Sequence, residues 1–513
     1  MRICMISREF PPDTGFGGIA TFAKHLAYGL KELGHDVEVI SLAKDKDGTT
    51  EIDGLKIHRV FNYPFPGGLD VINMCMPYSR YVLCTSTALW AKFAELHAQN
   101  PFDVIDAPEL LAESLYAGAT KAVPLAIRLY TPHSKFISEQ LHGVSKSFDH
   151  EFVAMLERVA MLSADVLTSP SDDLADFVAE DLHYPRQSIE IVRNPIDPDV
   201  FCPEGPKAIE PDGRVTVLFV GRLEERKGIY YLAEAIPQVL KKCPNTRFVI
   251  IGDDTTNSGS GQHSVLADIK QILRSAGVLD QIEFIRRVPL TSLPDYYRSA
   301  DICVVPSVYD NSPYTCLEAM SCGRPVIGTN AGGTREYVEH NKSGLIINAK
   351  STPDLVDAII ELASNQSRRE QLARAARERT LEKFQRKQIA AETVELYKLA
   401  QQRFRQREGK LYKKNWQEAL ADSEFFLYSL DRTLYQFLYQ KSFRFRVRHW
   451  WRLTVKRPRL AVGEFTLLAW NQFARLFKVK PANAPRVIRQ LEIEVTKMDP
   501  HCGGLVLQGN PDD

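Results

Sequence analysis

Two carboxylates and two cations carry the chemistry that this sequence makes legible. Asp310 and Glu318 stand eight residues apart in the stretch PSVYDNSPYTCLEAMSCGRPVIGTNAGGTRE, Pro306 to Glu336, which continues through a Gly-Arg-Pro turn, an apolar run and a Gly-Gly turn. About ninety residues earlier, Arg222 and Lys227 lie in the octapeptide GRLEERKG, with a glycine at each end. A carboxylate pair beside a helix suits acid–base work or the gripping of hydroxyl groups. An Arg and a Lys between a strand and a helix suit a diphosphate: Arg hydrogen-bonds two oxygens at once and Lys is a mobile point charge. Standing alone, the octapeptide reads as an ordinary charged loop.

The elements that must position these groups follow from the hydrophobic pattern. Ile302 to Pro306 reads as a buried strand, the loop from Ser307 leads into a helix near Ser312 to Ser321, and Pro325 to Thr329 is the next strand. Val215 to Val220 is the strand that feeds GRLEERKG, and Phe248 to Gly252 follows it. This is half of an open α/β sheet, with polar groups gathered where strands end and helices begin, the crevice in which such sheets bind ligands.

The beginning of the chain repeats the pattern. Ile3 to Ile6 is a strand; the loop SREFPPDTGFGG follows, then a helix with Phe22, Leu26 and Leu30 at helical spacing, then the strand Val37 to Ser41. Gly15, Gly17 and Ala20 fit GxGxxA, with Glu38 about twenty residues on, as a dinucleotide fingerprint requires. That fingerprint needs its first glycine directly after the strand, whereas eight residues including Pro11 and Pro12 intervene, so no dinucleotide is expected. Phe102 to Ile105 and Pro124 to Leu129 read as strands feeding the polar loops DAPE, Asp106 to Glu109, and RLYTPHS, Arg128 to Ser134. Five prolines between Asn194 and Pro211 have the composition of a hinge. After Glu336, Ser351 to Ala363 and Ser367 to Gln401 read as helices.

With 513 residues the chain has room for two to four domains. Its 64 Lys and Arg balance its 64 Asp and Glu, which removes any strong global attraction to nucleic acid. Nine cysteines without a CxxC pair argue for free thiols in a reducing compartment and against a zinc site. The start MRICMISREF is itself a strand and lacks the features of a signal peptide, and no run approaches the ~20 apolar residues of a membrane span. A cytoplasmic protein, soluble or peripherally attached to a membrane, is expected.

The Pro306 to Glu336 stretch resembles the donor-site signature of retaining glycosyltransferases with the two-Rossmann-domain (GT-B) architecture, the group 1 or family 4 type that includes sucrose-phosphate synthases and many polysaccharide transferases. The usual form is Glu, seven residues, Glu, then Ala-Met, a Gly-Pro-Val turn and a Gly-Gly turn; here Asp310 takes the first place and Glu318 the second. The resemblance covers roughly residues 1 to 400. It implies an α/β fold of two Rossmann-like domains facing across a cleft, an acceptor domain at 1–194 and a donor domain at 195–375, with a helix at 376–401 returning to the first domain. Residues 402–513, outside the resemblance, are expected to form a mainly helical C-terminal extension.

It also implies roles. Arg222 and Lys227 would stabilise the leaving diphosphate, aided by backbone amides of Gly17 and Gly18 at a helix N-terminus, although a tight turn explains those glycines equally well. Asp310, with the segment Asn311, Ser312, Pro313, Tyr314 and Thr315, would hold the sugar hydroxyls, and Glu318 the ribose. Backbone around Arg287 and Val288 would meet the nucleobase, with Arg286 where the family has glycine. A family histidine near the reacting sugar is matched by spacing with Tyr130, while His133 comes three residues later; both stay open. Glu109, Arg128 and Tyr130 are the acceptor-side candidates. The expected reaction moves a sugar from a nucleoside-diphosphate sugar to a saccharide, lipid-linked glycan or small molecule, with retention and with neither metal nor cofactor. A sugar-nucleotide epimerase and a non-catalytic nucleotide-sugar-binding subunit are the alternatives.

Residues 402 to 513 hold 21 Lys and Arg against 11 Asp and Glu. Within them KSFRFRVRHWWRLTVKRPRL, Lys441 to Leu460, has eight Lys and Arg, no acidic residue, and Phe443, Phe445, Trp450 and Trp451 interleaved. An anionic membrane surface through 441–480 suits that mixture; a strand packing its aromatics, an oligomer contact and an anionic glycan stay open beside it, and nucleic acid is not expected.

Overall fold

A computed structural model describes residues 1–14, 17–61, 70–138, 147–255 and 264–407, and, further on, 434, 447, 450–451, 454–455, 458–476, 485 and 487. Residues 1–63 and 81–420 form one compact unit, and residues 64–80 and 421–513 a second.

The first unit contains two sheets. The eight-stranded one comprises β1 (Arg2–Ile6), β2 (Asp36–Leu42), β3 (Gly48–Ile52), β4 (Leu55–Val60), β5 (Val104–Pro108), β6 (Leu125–Arg128), β7 (Val166–Ser169) and β8 (Ile189–Ile191), in the order β3-β4-β2-β1-β5-β6-β7-β8. Only the β3–β4 pair is antiparallel. The six-stranded sheet comprises β9 (Val215–Val220), β10 (Thr246–Ile251), β11 (Ile282–Ile285), β12 (Ile302–Val305), β13 (Val326–Thr329) and β14 (Gly344–Ile347), all parallel, in the order β11-β10-β9-β12-β13-β14. Two doubly wound α/β sheets are the two Rossmann-like halves expected.

Parallel strands covered on both faces read as nearly continuous apolar runs, and β9, VTVLFV, buries Thr216 to Phe219 without a break. The helix after it, Ile229–Lys242, buries Ile229, Leu232, Ala233, Ile236, Val239 and Leu240, a stripe at helical spacing laid on the sheet. Each such large side chain contributes roughly 1.5–3 kcal/mol when fully buried.

Sheet order fixes where the chemistry sits. In the second sheet β9 and β12 are neighbours, paired Ile302 to Val217 and Cys303 to Leu218, and the strand order runs outward from them in both directions. At such a switch point the loops leaving adjacent strands turn to opposite faces and open a crevice. The loops after β9 and β12 are GRLEERKG and the one bearing Asp310. The first sheet has the same arrangement at β1 and β5, whose loops are Ser7–Gly17 and the continuation of DAPE.

The sequence pattern over Ser367 to Gln401 reads as one helix, but the chain forms two, Gln366–Lys383 and Arg386–Arg407. The break has a cause. The Ile196 amide donates to the Phe384 carbonyl (2.8 Å) and the Arg386 amide to the Ile196 carbonyl (2.9 Å), so two extended segments run side by side. Arg386 also pairs with Asp197 and with Glu32 of the first half. The expected Pro-rich hinge therefore has a second strand.

Beyond the crossing, the helix Arg386–Arg407 packs on the helix Gly18–Glu32. The buried Tyr397 hydroxyl donates to Asp106 Oδ2 (2.7 Å), which also accepts from Arg128 (3.2 Å). In the second unit, Pro458–Leu476 is helical, as are Val447, Trp450, Trp451, Thr454 and Val455; these residues are not the strand weighed for the basic stretch. Among the described residues no helix is long and apolar enough to cross a membrane.

Tyr397→Phe removes a buried donor and leaves Asp106 one partner short, which costs about 1–3 kcal/mol. Urea unfolding should show that loss, with faster amide exchange in Arg386–Arg407; unchanged values in both would mean this hydrogen bond does not hold the returning helix.

Candidate functional site

The loop after β9 is shaped by its last glycine. Glu225–Lys227 form one 3₁₀ turn, which Gly228 closes in the left-handed region at φ 71°. A Cβ at Gly228 would lie 1.8 Å from the Pro306 carbonyl oxygen, so only glycine lets this loop lie against the one after β12. The Val308 amide then donates to the Arg226 carbonyl (2.8 Å), and Arg226 donates to the Tyr309 carbonyl (3.1 Å). Buried Glu224 orients Arg226 through a 2.8 Å bond.

This docking places Lys227 Nζ 2.5 Å from Asp310 Oδ2, with Arg226 Nη1 3.7 Å from Oδ1. Burial by itself would raise the Asp310 carboxyl, but the Lys227 ammonium and Arg226 guanidinium outweigh it and hold the group below its ordinary value. Arg222, by contrast, turns outward: its side chain is 56% exposed and 3.4 Å from Glu224.

The segment after Asp310 is fixed from three sides. Gly333 donates its amide to the Asp310 carbonyl (3.0 Å), and a Cβ there would meet the Asn311 carbonyl oxygen at 1.9 Å, which explains the Gly-Gly turn. Asn311 accepts from Ser171 of the first half (2.6 Å) and donates to the Tyr130 carbonyl. The Ser312 hydroxyl lies 2.5 Å from that of Tyr337, and the Ser312 carbonyl accepts from Asn194 (3.1 Å). Pro313 caps the helix Tyr314–Ser321, with Thr315 half-buried in its first turn.

Tyr314 reaches the first half. Its ring lies 6.1 Å from that of His25, and its Cδ2 is 3.7 Å from where a Cβ on Gly18 would be. Its hydroxyl is buried without a hydrogen-bond partner. Gly17 and Gly18 are exposed at the N-terminus of the helix Gly18–Glu32. The loop leading there hangs on Arg59, a buried β4 residue that donates to Thr14 (3.0 Å), Ser41 (3.1 Å) and the Phe10 carbonyl (2.9 Å) and lies 3.3 Å from Asp13.

Glu318 lies deeper, accepting at Oε2 from the Tyr297 hydroxyl (2.7 Å). Burial raises its carboxyl to about 7 against the opposing pull of Tyr297 and Lys227. Arg287 is exposed beyond β11, and Val288 packs partly into the core shared by the two halves.

On the acceptor side the candidates are tied inward. Arg128 is buried, bonded to Asp106, with its guanidinium carbon 3.9 Å above the Phe22 ring. Glu109 accepts the Tyr130 amide at 2.8 and 2.9 Å, and burial lifts its carboxyl to about 8. His133 starts the helix His133–Ser138, and its Nε2 is 2.8 Å from His150 Nδ1. Burial and the neighbouring His150 lower its pKa to about 4. The His133 amide donates to the buried Glu157 (2.5 Å). Tyr130 is thus the one of the two whose backbone touches the second half.

The structure brings together Lys227, Asp310, Asn311, Ser312 and the turn at Gly333, and sets Tyr314 against the Gly18 helix. It leaves Arg222, Arg287 and His133 outside that cluster. Arg226, Glu224, Tyr297, Tyr337 and Arg59 were not found from the sequence: in an octapeptide with five charged residues, nothing distinguishes those that turn inward.

Two family models match the chain, one described as glycosyl transferases group 1 over residues 204–379 and one as glycosyltransferase family 4 over residues 16–200. An uncharacterized glycosyltransferase of Methanocaldococcus jannaschii is 27% identical over 412 residues, 78% of this chain and 98% of the relative. A glycogen synthase of Mycobacterium tuberculosis is 27% identical over 426 residues, 80% and 98% of the two chains. Among solved structures, sucrose-phosphate synthase from Thermosynechococcus elongatus matches with a TM-score of 0.61 at 20% identity, covering 77% of this chain and 98% of that one. Anabaena HepE in complex with UDP-glucose matches with a TM-score of 0.54 at 17% identity, covering 77% and 100%. At these identities the likeness to solved structures is one of fold.

The Glu318 carboxyl gives a pH test. The unfolded chain releases this proton in the ordinary carboxylate range and the folded chain only near 7, so stability falls as pH rises between the two. Glu318→Gln removes that loss. Its free energy of unfolding should rise relative to the parent by up to about 3 kcal/mol between roughly pH 4 and pH 8, whereas a pH-independent difference would mean the carboxyl titrates normally.

Proposed function

The chain belongs to the group 1 glycosyltransferases of the GT-B fold, and on that premise we propose that it moves a sugar from a nucleoside-diphosphate sugar to a saccharide or lipid-linked acceptor, with retention of anomeric configuration. The observation that carries this reading is the Lys227–Asp310 pair, flanked by Arg226, at the β9/β12 switch point.

A sugar leaving its nucleotide builds negative charge on the diphosphate, and catalysis rests chiefly on stabilising that charge. Lys227 is near enough to the crevice to turn from the Asp310 carboxylate to a β-phosphate oxygen, its partner freed to accept sugar hydroxyls. Arg222, exposed on the same loop, supplies a second cation, and amides at the Gly18 helix N-terminus a third contribution from the other half. These groups carry the neutralisation without a metal. Glu318, its carboxyl raised by burial to about 7 and anchored by Tyr297, offers the ribose a hydrogen-bonding partner. Attack from the face of the departing phosphate, with that phosphate taking the acceptor proton, gives retention. HepE binds UDP-glucose, which makes a uridine donor the first to try.

A thermal-shift panel of nucleotide sugars identifies the donor, since a ligand that binds only the folded state stabilises it. With that donor, Lys227→Ala should lower the rate of transfer or donor hydrolysis by about 10²–10³, on the order of 2.7–4 kcal/mol, in a chain that still folds by circular dichroism. Full activity in the variant would overturn the reading. An altered sugar recovered on its nucleotide, without transfer, would point to an epimerase, and binding without turnover to a non-catalytic subunit.

A further inference from the structure

The second unit exposes an apolar surface on residues outside both family matches. Val447, Trp451 and Val455 are helical and 52%, 74% and 64% exposed. A spacing of four turns each residue about 40° from the last on a helix, so the three share one face. On the helix Pro458–Leu476, Val462 and Phe465 are 68% and 67% exposed, while Leu467 on its other side is buried. The rings of Trp450 and Phe465 meet edge to face at 6.1 Å. Fifteen residues of one straight helix would put them about 22 Å apart, so Trp450 and Phe465 do not lie on one straight helix, and Trp451, next to Trp450 in the chain, is close to the exposed stripe of the helix Pro458–Leu476.

From this geometry we propose that the face formed by Val447, Trp451, Val455, Val462 and Phe465 docks on a lipid bilayer rich in anionic headgroups. The charge of the same stretch of sequence selects that occupant. Residues 441–480 carry 11 Lys and Arg and one acidic residue, Glu464, and eight of the basic residues fall between Lys441 and Leu460. A second copy is disfavoured because a two-fold contact sets a patch against itself, here basic against basic. Nucleic acid is disfavoured because exposed valines gain nothing against phosphates. A bilayer satisfies both features at once: the aromatic and aliphatic side chains enter the headgroup boundary and the basic residues meet lipid phosphates. Such docking holds the enzyme where a lipid-linked acceptor lies, a consequence that rests on the transferase reading, whereas the docking itself does not.

Flotation of the full chain with phosphatidylcholine vesicles, with and without roughly a third phosphatidylglycerol, tests the proposal at low and at high salt, since salt screens the basic attraction. The chain should float with the anionic vesicles, several-fold less with neutral ones and less at high salt. Trp451→Asp combined with Phe465→Asp should reduce the bound fraction about tenfold, with the fold retained because both side chains are mostly exposed. Blue-shifted tryptophan fluorescence of the parent on adding anionic vesicles, lost in Trp451→Phe, gives a second readout needing no charge substitution. Failure of the parent to float, equal flotation of the double variant, or a dimer that the same substitutions dissociate while vesicles have no effect would each overturn it.

Discussion

An ammonium and a carboxylate, Lys227 and Asp310, meet 2.5 Å apart where the second sheet reverses its strand order, and the cleft is arranged around that contact. Each charge alone would be expensive there. A buried carboxylate without a partner is driven to protonate, and a lysine drawn off the surface loses hydration. Together they hold two loops side by side while keeping both charges ready for exchange with a ligand. Gly228 and Gly333 matter because they let backbone approach backbone on either side of the pair, and Glu224 because it fixes Arg226 as the second cation. In the proposed reaction the pair is a resting arrangement, which a donor diphosphate opens by offering the ammonium a more strongly charged partner.

The same constraint links the halves. The segment that positions Asp310 continues into Asn311 and Ser312, which bond to Ser171, Tyr130, Asn194 and Tyr337. On the far side, the chain crosses between halves twice, at Asn194–Asp197 and Phe384–Arg386, and the second crossing leads into a helix whose Tyr397 reaches Asp106. A shift of one half relative to the other is therefore felt at Asn311, one residue from the charge pair.

Much of this was legible in the sequence because parallel strands are written as apolar runs and the loops between them carry glycines and charges at set places. The strand before GRLEERKG was read with the bounds it has, and the Asp310 loop and following helix within two residues. Less legible was whatever depends on which way a side chain turns. Arg222 and Arg226 are indistinguishable by type, yet one faces water and the other the site. Arg128 and Glu109 look like acceptor contacts in the sequence, whereas in the fold they brace strands and backbone amides. His133 stands three residues after Tyr130, enough for a new helix to point it at His150. The single helix read across Ser367 to Gln401 failed because nothing in its apolar spacing records that Gln385 must pair with Ile196.

The most direct test of the charge pair's role is a double-mutant cycle of Lys227→Met and Asp310→Asn, followed by urea unfolding with and without saturating nucleotide-sugar donor. Neighbours in contact typically couple by about 0.5–3 kcal/mol. The account predicts a favourable coupling of that order in the free protein that falls towards zero when donor is bound, because the ammonium then faces phosphate. A coupling unchanged by donor would contradict it and leave the pair a structural clasp between two loops.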